Sequence, residues 1–298
     1  MCKFFVSIKN KKRNKNSLEE MKKQLIKSFF TMKEGSVFSG SGIAIYNDEK
    51  WKLCKKERVM ISKCFMNCDD EIVQDNDKDD IVLGHIRNQG ICPGNPTIEN
   101  THPFIYEDLV SSLSFVFCHH GYIKNFNEND TRNILIDILP ESLRNEIRGE
   151  TDSEVLFYLL ISSYLRKKNG EQEEMKKKKD KVSNNDERTE LKKLKKDNHH
   201  AFADFISIVF RQLQEKNILL IADCIFIVDE NIFIIHYNTI KTEQVAYQVF
   251  FLEDQLFFFT SYDDVLKNKM DTNNIYCMHS NSVAYINNVQ ENTIFQYL

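Results

Sequence analysis

Met1-Cys2-Lys3-Phe4-Phe5-Val6-Ser7-Ile8 opens the chain, and the rest is read outward from this stretch. Its alternation and its Phe and Val content predict a β-strand from Cys2 to Ile8 whose first residue sits at a cleft. A second residue as small as Cys2 permits removal of Met1, which leaves a thiol and a free α-amino group on one residue. An unperturbed thiol titrates near ~8.5 and an α-amino group near ~7.7–8.0. The amine can therefore take the thiol proton and later deliver it to a leaving group. Cysteine at position 2 is common in proteins of every kind, so this reading depends on what later stretches supply.

The chain has 298 residues, 42% of them hydrophobic, which is ample for a buried core. A net charge of -4 and a pI near 6.1 give no overall pull toward nucleic acid or membranes. Eight cysteines without dense spacing read as reduced intracellular thiols. The start is too polar for a signal peptide, and the most apolar region, 218–237, is broken by Asp223, Asp229 and Glu230, so it is not a membrane span. These features predict a cytoplasmic protein.

Further along, Ser17 and Glu20 form a capping-box pattern, followed by Leu18, Met21, Leu25 and Phe29 at helical spacing. The glycine-rich stretch 35–42 reads as the entry to a strand at 43–46, with a partner beginning near Trp51. Cys64 and Cys68 lack the second ligand pair that a structural zinc site needs and read as loop thiols. Ile81-Val82-Leu83-Gly84-His85-Ile86-Arg87 is a buried-strand pattern with two polar residues near its end. A planar guanidinium at Arg87 can hold a carboxylate bidentately or pair with a structural acid. His102, before Pro103, reads first as a turn residue. A second apolar run at 113–118 leads into His119-His120-Gly121, where a glycine lets the backbone approach a ligand and present its N–H. The two histidines point to opposite faces of a strand and make poor joint ligands, so no metal is expected. In Gly149-Glu150-Thr151-Asp152-Ser153-Glu154, Thr151 or Asp152 can cap the following helix, and an acid held there can bind an ammonium group.

Cys2 behind the initiator Met, Gly84-His85-Ile86-Arg87, Glu99-Asn100-Thr101-His102-Pro103-Phe104, Phe117-Cys118-His119-His120-Gly121 and the stretch from Gly149 to Glu154 occur in this order. Together they closely resemble the class II glutamine amidotransferases, and most of all their stand-alone branch of N-terminal-nucleophile (Ntn) hydrolases. The resemblance covers about residues 2–165 and, more faintly, 217–237. It implies an α+β fold, the four-layer αββα sandwich, formed by a single domain over 2–298. It implies hydrolysis of the side-chain amide of glutamine or a γ-glutamyl compound through a thioester on Cys2, without metal or cofactor. Arg87 would bind the substrate α-carboxylate, Asp152 its α-ammonium group, and Gly121 would donate its N–H to the oxyanion. His85 and His102 belong to the motifs that line the substrate site.

Three departures from the family pattern bear on activity. His120 stands where the family has the asparagine that completes the oxyanion hole, and loss of one such donor costs ~2.7–4 kcal/mol. An imidazole N–H can stand in, given the right tautomer or a proton. Ser39-Gly40-Ser41-Gly42 replaces the usual Asp-Gly-Trp-Gly, and Asn88-Gln89 follow the arginine. The competing reading is a catalytically impaired pseudoenzyme that keeps the fold as an amino-acid-binding or interaction module.

Residues 166–200 are dominated by Lys, Glu, Asp and Asn and read as a charged, disordered insertion. The acids among them offset the lysines and weaken any case for phosphate or RNA binding. Phe202, Phe205, Ile206, Val209, Phe210 and Leu213 then mark one face of a helix, and the remainder is strand-rich with a turn at Asp229-Glu230-Asn231. Two stacked sheets covered by helices fit this order. With no residues left over for a synthetase domain, the expectation is simple amide hydrolysis or a separate ammonia-accepting or peptidase partner subunit.

Overall fold

A computed structural model of the chain describes residues 3–8, 37–47, 50–60, 81–87, 94–128, 130–179, 204–240, 248–252, 255–259, 275–277, 281–287 and 292–297. Strands β1 (Lys3–Ile8), β2 (Val37–Asn47), β3 (Lys50–Met60) and β4 (Ile81–Arg87) form an antiparallel sheet in the order β1-β4-β2-β3. A larger antiparallel sheet contains β5 (Phe104–Asp108), β6 (Leu113–Ile123), β7 (Leu220–Val228) and β8 (Asn231–Asn238). Strands β9 (Gln248–Leu252), β10 (Gln255–Phe259) and β11 (Ile275–Cys277) make a small sheet of their own. Finally β12 (Ser282–Asn287) and β13 (Asn292–Tyr297) complete the larger sheet, whose order is β13-β12-β8-β7-β6-β5.

Side-chain alternation divides the core into two layers. On β6, Val116 and Cys118 point toward the four-stranded sheet and pack with Phe4, Val6, Leu83, Ile225 and Ile234. Phe115 and Phe117 point the other way, against helices. Those helices are α1 (Thr131–Ile138), α2 (Glu141–Arg144), α3 (Asp152–Lys179) and α4 (Asp204–Glu215). With both faces covered, β7 is buried at every position, which is why its sequence is almost continuously apolar. The first half of α3 is likewise apolar all round and buried from Val155 to Ile161, whereas α4 buries one face through Phe205, Ile206, Val209, Phe210 and Leu213, as its spacing predicts. Each such buried side chain contributes ~1.5–3 kcal/mol relative to exposure.

Four sequence expectations change. The charged stretch expected to be disordered from 166 is helical as far as Lys179. Lys, Glu and Gln are good helix formers, and extending a helix already nucleated in the core costs little. Strand β2 begins at Val37 and runs through the glycines that were read as an entry loop. Gly42 is needed there because any side chain would run into the carbonyl of His102, which crosses the strand. Strand β6 does not stop at Cys118 but continues through His119, His120 and Gly121 to Ile123, paired with β7 throughout. Cys54 is disulfide-bonded, whereas Cys118 and Cys224 are free and buried. Spacing along a chain does not say which thiols meet in space. The helix expected over Leu18 to Phe29, the Cys64 and Cys68 pair, Asn88, Gln89, Phe202 and the rest of the charged stretch lie outside the described residues.

Candidate functional site

The site begins where β1 and β4 run antiparallel, with Lys3 opposite Ile86 and Phe4 opposite His85. The first described residue of the chain therefore lies beside the last turn of pleat before Arg87. Cys2 itself is outside the described residues. Arg87 is buried, and its fork donates to two successive carbonyls, from Nη1 to Asn95 at 2.8 Å and from Nη2 to Gly94 at 2.9 Å. A guanidinium is planar, so these two bonds fix its orientation.

The loop that receives Arg87 is tied to the head of α3. Asn100 donates to the Asn95 carbonyl at 3.0 Å and accepts the Glu150 N–H at 2.8 Å. Thr151 caps the helix by accepting the Glu154 N–H at 3.2 Å, while the Glu154 carboxylate accepts the N–H groups of Arg148 and Gly149 at 2.9 and 2.7 Å. Thr151 rather than Asp152 is thus the cap, and Asp152 is left for another task. Its carboxylate, buried, accepts the Ile123 N–H at 2.7 Å and the Ser153 N–H at 2.8 Å. Burial pushes its pKa up to about 6, against the opposing pull of those hydrogen bonds. Arg87 and Asp152 are therefore anchored by one connected set of backbone and side-chain bonds.

On β6 the two histidines separate, as the strand period requires. His119 faces α3: its Nε2–H donates to the Ile221 carbonyl at 3.2 Å, so Nδ1 accepts from the Ser153 hydroxyl at 2.8 Å. His120 has the parity of Cys118 and faces the layer between the sheets. Gly121 has φ +138°, a conformation that side chains avoid, and a side chain there would also strike the Ile221 carbonyl.

His85 and His102 are both buried, with ring centroids 4.3 Å apart, and they continue into Phe4 on one side and Phe104 on the other. Burial, then the neighbouring His85, holds His102 well below the usual imidazole range, so it is neutral at physiological pH. Both rings are packed in the core. Lys55 was not singled out from the sequence. Its ammonium lies over the Phe104 ring, 5.0 Å from the centroid, and donates to the Ile98 carbonyl at 3.4 Å. Burial lowers its pKa to about 8, opposed chiefly by Glu154. Nothing in the Lys-rich stretch around it distinguishes Lys55 from its neighbours. Asp223 was read only as an interruption of an apolar run. Its carboxylate is buried and hydrogen-bonded to His236 Nδ1 on the next strand. The sequence signal was there, a lone acid inside the continuously apolar run that becomes β7.

A family model described as glutamine amidotransferases class-II matches residues 20–194, more than half of the chain. The chain belongs to the class-II glutamine amidotransferases. Hydrolysis of the glutamine amide is the general chemistry of this family. No curated protein matches the sequence. Among solved structures, the fold is similar to an allosteric regulatory enzyme of purine biosynthesis, at 12% identity and TM-score 0.58, covering 99% of this chain and 49% of that one. It is also similar to glutamine phosphoribosylpyrophosphate amidotransferase from B. subtilis, at 12% identity and TM-score 0.57 over the same shares. The chain thus spans about half the length of these two enzymes. A glutamine aminotransferase class-II domain protein from Silicibacter pomeroyi matches end to end, covering 99% of this chain and 98% of that one, at 13% identity and TM-score 0.50. The expected α+β Ntn amidotransferase fold is therefore the fold observed. Among the described residues, no helix of this amidotransferase is long and apolar enough to cross a membrane.

Proposed function

We propose that the protein hydrolyses the side-chain amide of glutamine, with γ-glutamyl compounds as the alternative substrates, through Cys2 exposed by removal of Met1. The observation that carries this is the register of β1 on β4, which starts the described chain at Lys3 beside Ile86, one residue from Arg87. In this reading the Arg87 guanidinium holds the α-carboxylate, and Asp152 receives the α-ammonium. The Cys2 thiolate attacks the amide carbon, and the resulting oxyanion is met by the Gly121 N–H and the His120 ring. Ile123 turns its N–H away from β7 to Asp152, and the strand period places the Gly121 N–H on the same edge. The α-amino group carries the thiol proton to the departing ammonia. Water then cleaves the thioester, releasing the acid and restoring the thiol.

The proposal treats residues 2–298 as one domain in the cytosol and assigns the ammonia either to solution or to a separate protein. The test is the intact mass of the purified protein before and after exposure to an electrophilic glutamine analogue, with peptide mapping. Loss of Met1 and a single adduct on Cys2, absent in Cys2→Ala, is the expected result. A free Cys2 that takes no adduct, together with glutamine binding that does not need Cys2, would establish the non-catalytic module instead.

A further inference from the structure

Helix α4 carries a second stripe beside the apolar one that it buries. Asp204, Ser207, Ile208, Arg211 and Gln214 recur at steps of three and four and so share one face. With Tyr237 of β8 and Asn281, which immediately precedes β12, they line a cavity of about 490 Å³. That volume lies within the range of roughly 300–1,000 Å³ found for small-molecule sites. Phe210 also lines it and stacks on Tyr237, with ring centroids 3.9 Å apart and planes within 11° of parallel. Tyr237 belongs to the core layer under the helices, so the cavity lies on that side of the larger sheet. None of its lining residues takes part in the frame that anchors Arg87 and Asp152.

We propose that this cavity binds a small organic anion, a carboxylate or a phosphate ester, through the Arg211 guanidinium. Among the described residues Arg211 forms no ion pair, and its planar fork of N–H groups matches either oxyanion bidentately. The one carboxylate in the lining, Asp204, is already paired with Lys167 Nζ at 3.1 Å. The lining is therefore positive on balance. Asn281 accepts the Asn238 N–H through Oδ1 at 3.0 Å, which leaves its NH2 group to donate. Ser207 and Gln214 can donate or accept and so follow the ligand. Ile208 and Tyr237 supply apolar surface for the organic part. Occupancy of this cavity does not depend on the amide hydrolysis proposed above.

The test is titration of the full chain with phenylacetate and with phenyl phosphate, which share a ring and differ in the anion, and with benzyl alcohol as the uncharged control. Methyl and aromatic NMR spectra locate the binding. The Ile208 methyl and Tyr237 ring signals should move and saturate with at least one anion and not with benzyl alcohol. The tighter anion identifies the site as one for carboxylates or for phosphate esters. Arg211→Leu should weaken that binding about tenfold or more, and Arg211→Lys, which keeps the charge but loses the fork, by less. Arg211 is exposed on its helix, so both variants should keep the fold. No saturation by either anion below about 10 mM, saturation that leaves Ile208 and Tyr237 unmoved, or an affinity unchanged in Arg211→Leu would overturn the proposal. Cys2→Ala should bind the anion as the wild type does, so a failure of the proposed hydrolysis and a failure of this site are read separately.

Discussion

Asp152→Asn separates a binding role for this acid from a structural one. In the folded protein burial carries the Asp152 carboxyl from its ordinary 3.8 to about 6. At about 1.4 kcal/mol for each tenfold change in acidity, keeping it ionised at neutral pH costs roughly 3 kcal/mol of stability. The carboxamide removes that cost. It also turns an NH2 group toward one of two N–H groups now satisfied, from Ile123 at 2.7 Å and Ser153 at 2.8 Å, forfeiting one charge-assisted bond worth ~1.5–3 kcal/mol. The two effects nearly cancel, so Asp152→Asn should unfold within about 1.5 kcal/mol of the wild type. Glutamine affinity should behave differently, because losing the charge that meets the α-ammonium costs ~2–5 kcal/mol, a factor of about 30 or more. Urea unfolding and glutamine titration of the same preparations measure both. The pH dependence has a definite sign: the folded state holds the Asp152 proton more tightly, so wild-type stability gains on the variant as pH falls from about 6 toward 3.8, while glutamine binding weakens over that range. Unchanged glutamine affinity in Asp152→Asn, or a loss of stability well above 3 kcal/mol, would show that this acid is only a backbone brace.

The other predictions concern the supports of the site. Thr151→Ala removes the cap that accepts the Glu154 N–H and should cost about 1 kcal/mol by denaturant unfolding, with Thr151→Ser recovering most of it. Lys55 should be half-reactive toward an amine-selective label near pH 8 in the folded protein, well below ordinary lysines, and should lose that distinction in urea; quantitative peptide mass spectrometry across pH reads both.

Much of the candidate site was legible because its elements depend on residue type at fixed local spacing. Arg87 ends a strand that the run from Ile81 already marks, and Thr151 with Glu154 announces a helix start in four residues. The segment from 166 to 179 misled because its composition gives solubility and helix propensity together, and only attachment to the buried half of α3 decides between them. Gly42 looked like loop punctuation because the crossing segment at His102, sixty residues later, is invisible in the local sequence.

The sequence by itself determined the alternation that makes the strands, a helix start at Thr151 or Asp152 and the order of motifs, since each depends on residues within a few positions of one another. Only the tertiary structure decided that Arg87 and Asp152 share one hydrogen-bonded frame, that His85 and His102 stack in the core, and that His120, Asp223 and His236 lie side by side. Those neighbours are more than a dozen to over a hundred residues apart along the chain. The last three meet because antiparallel register converts distant positions into adjacent ones, and a shift of one residue would turn every side chain to the opposite face.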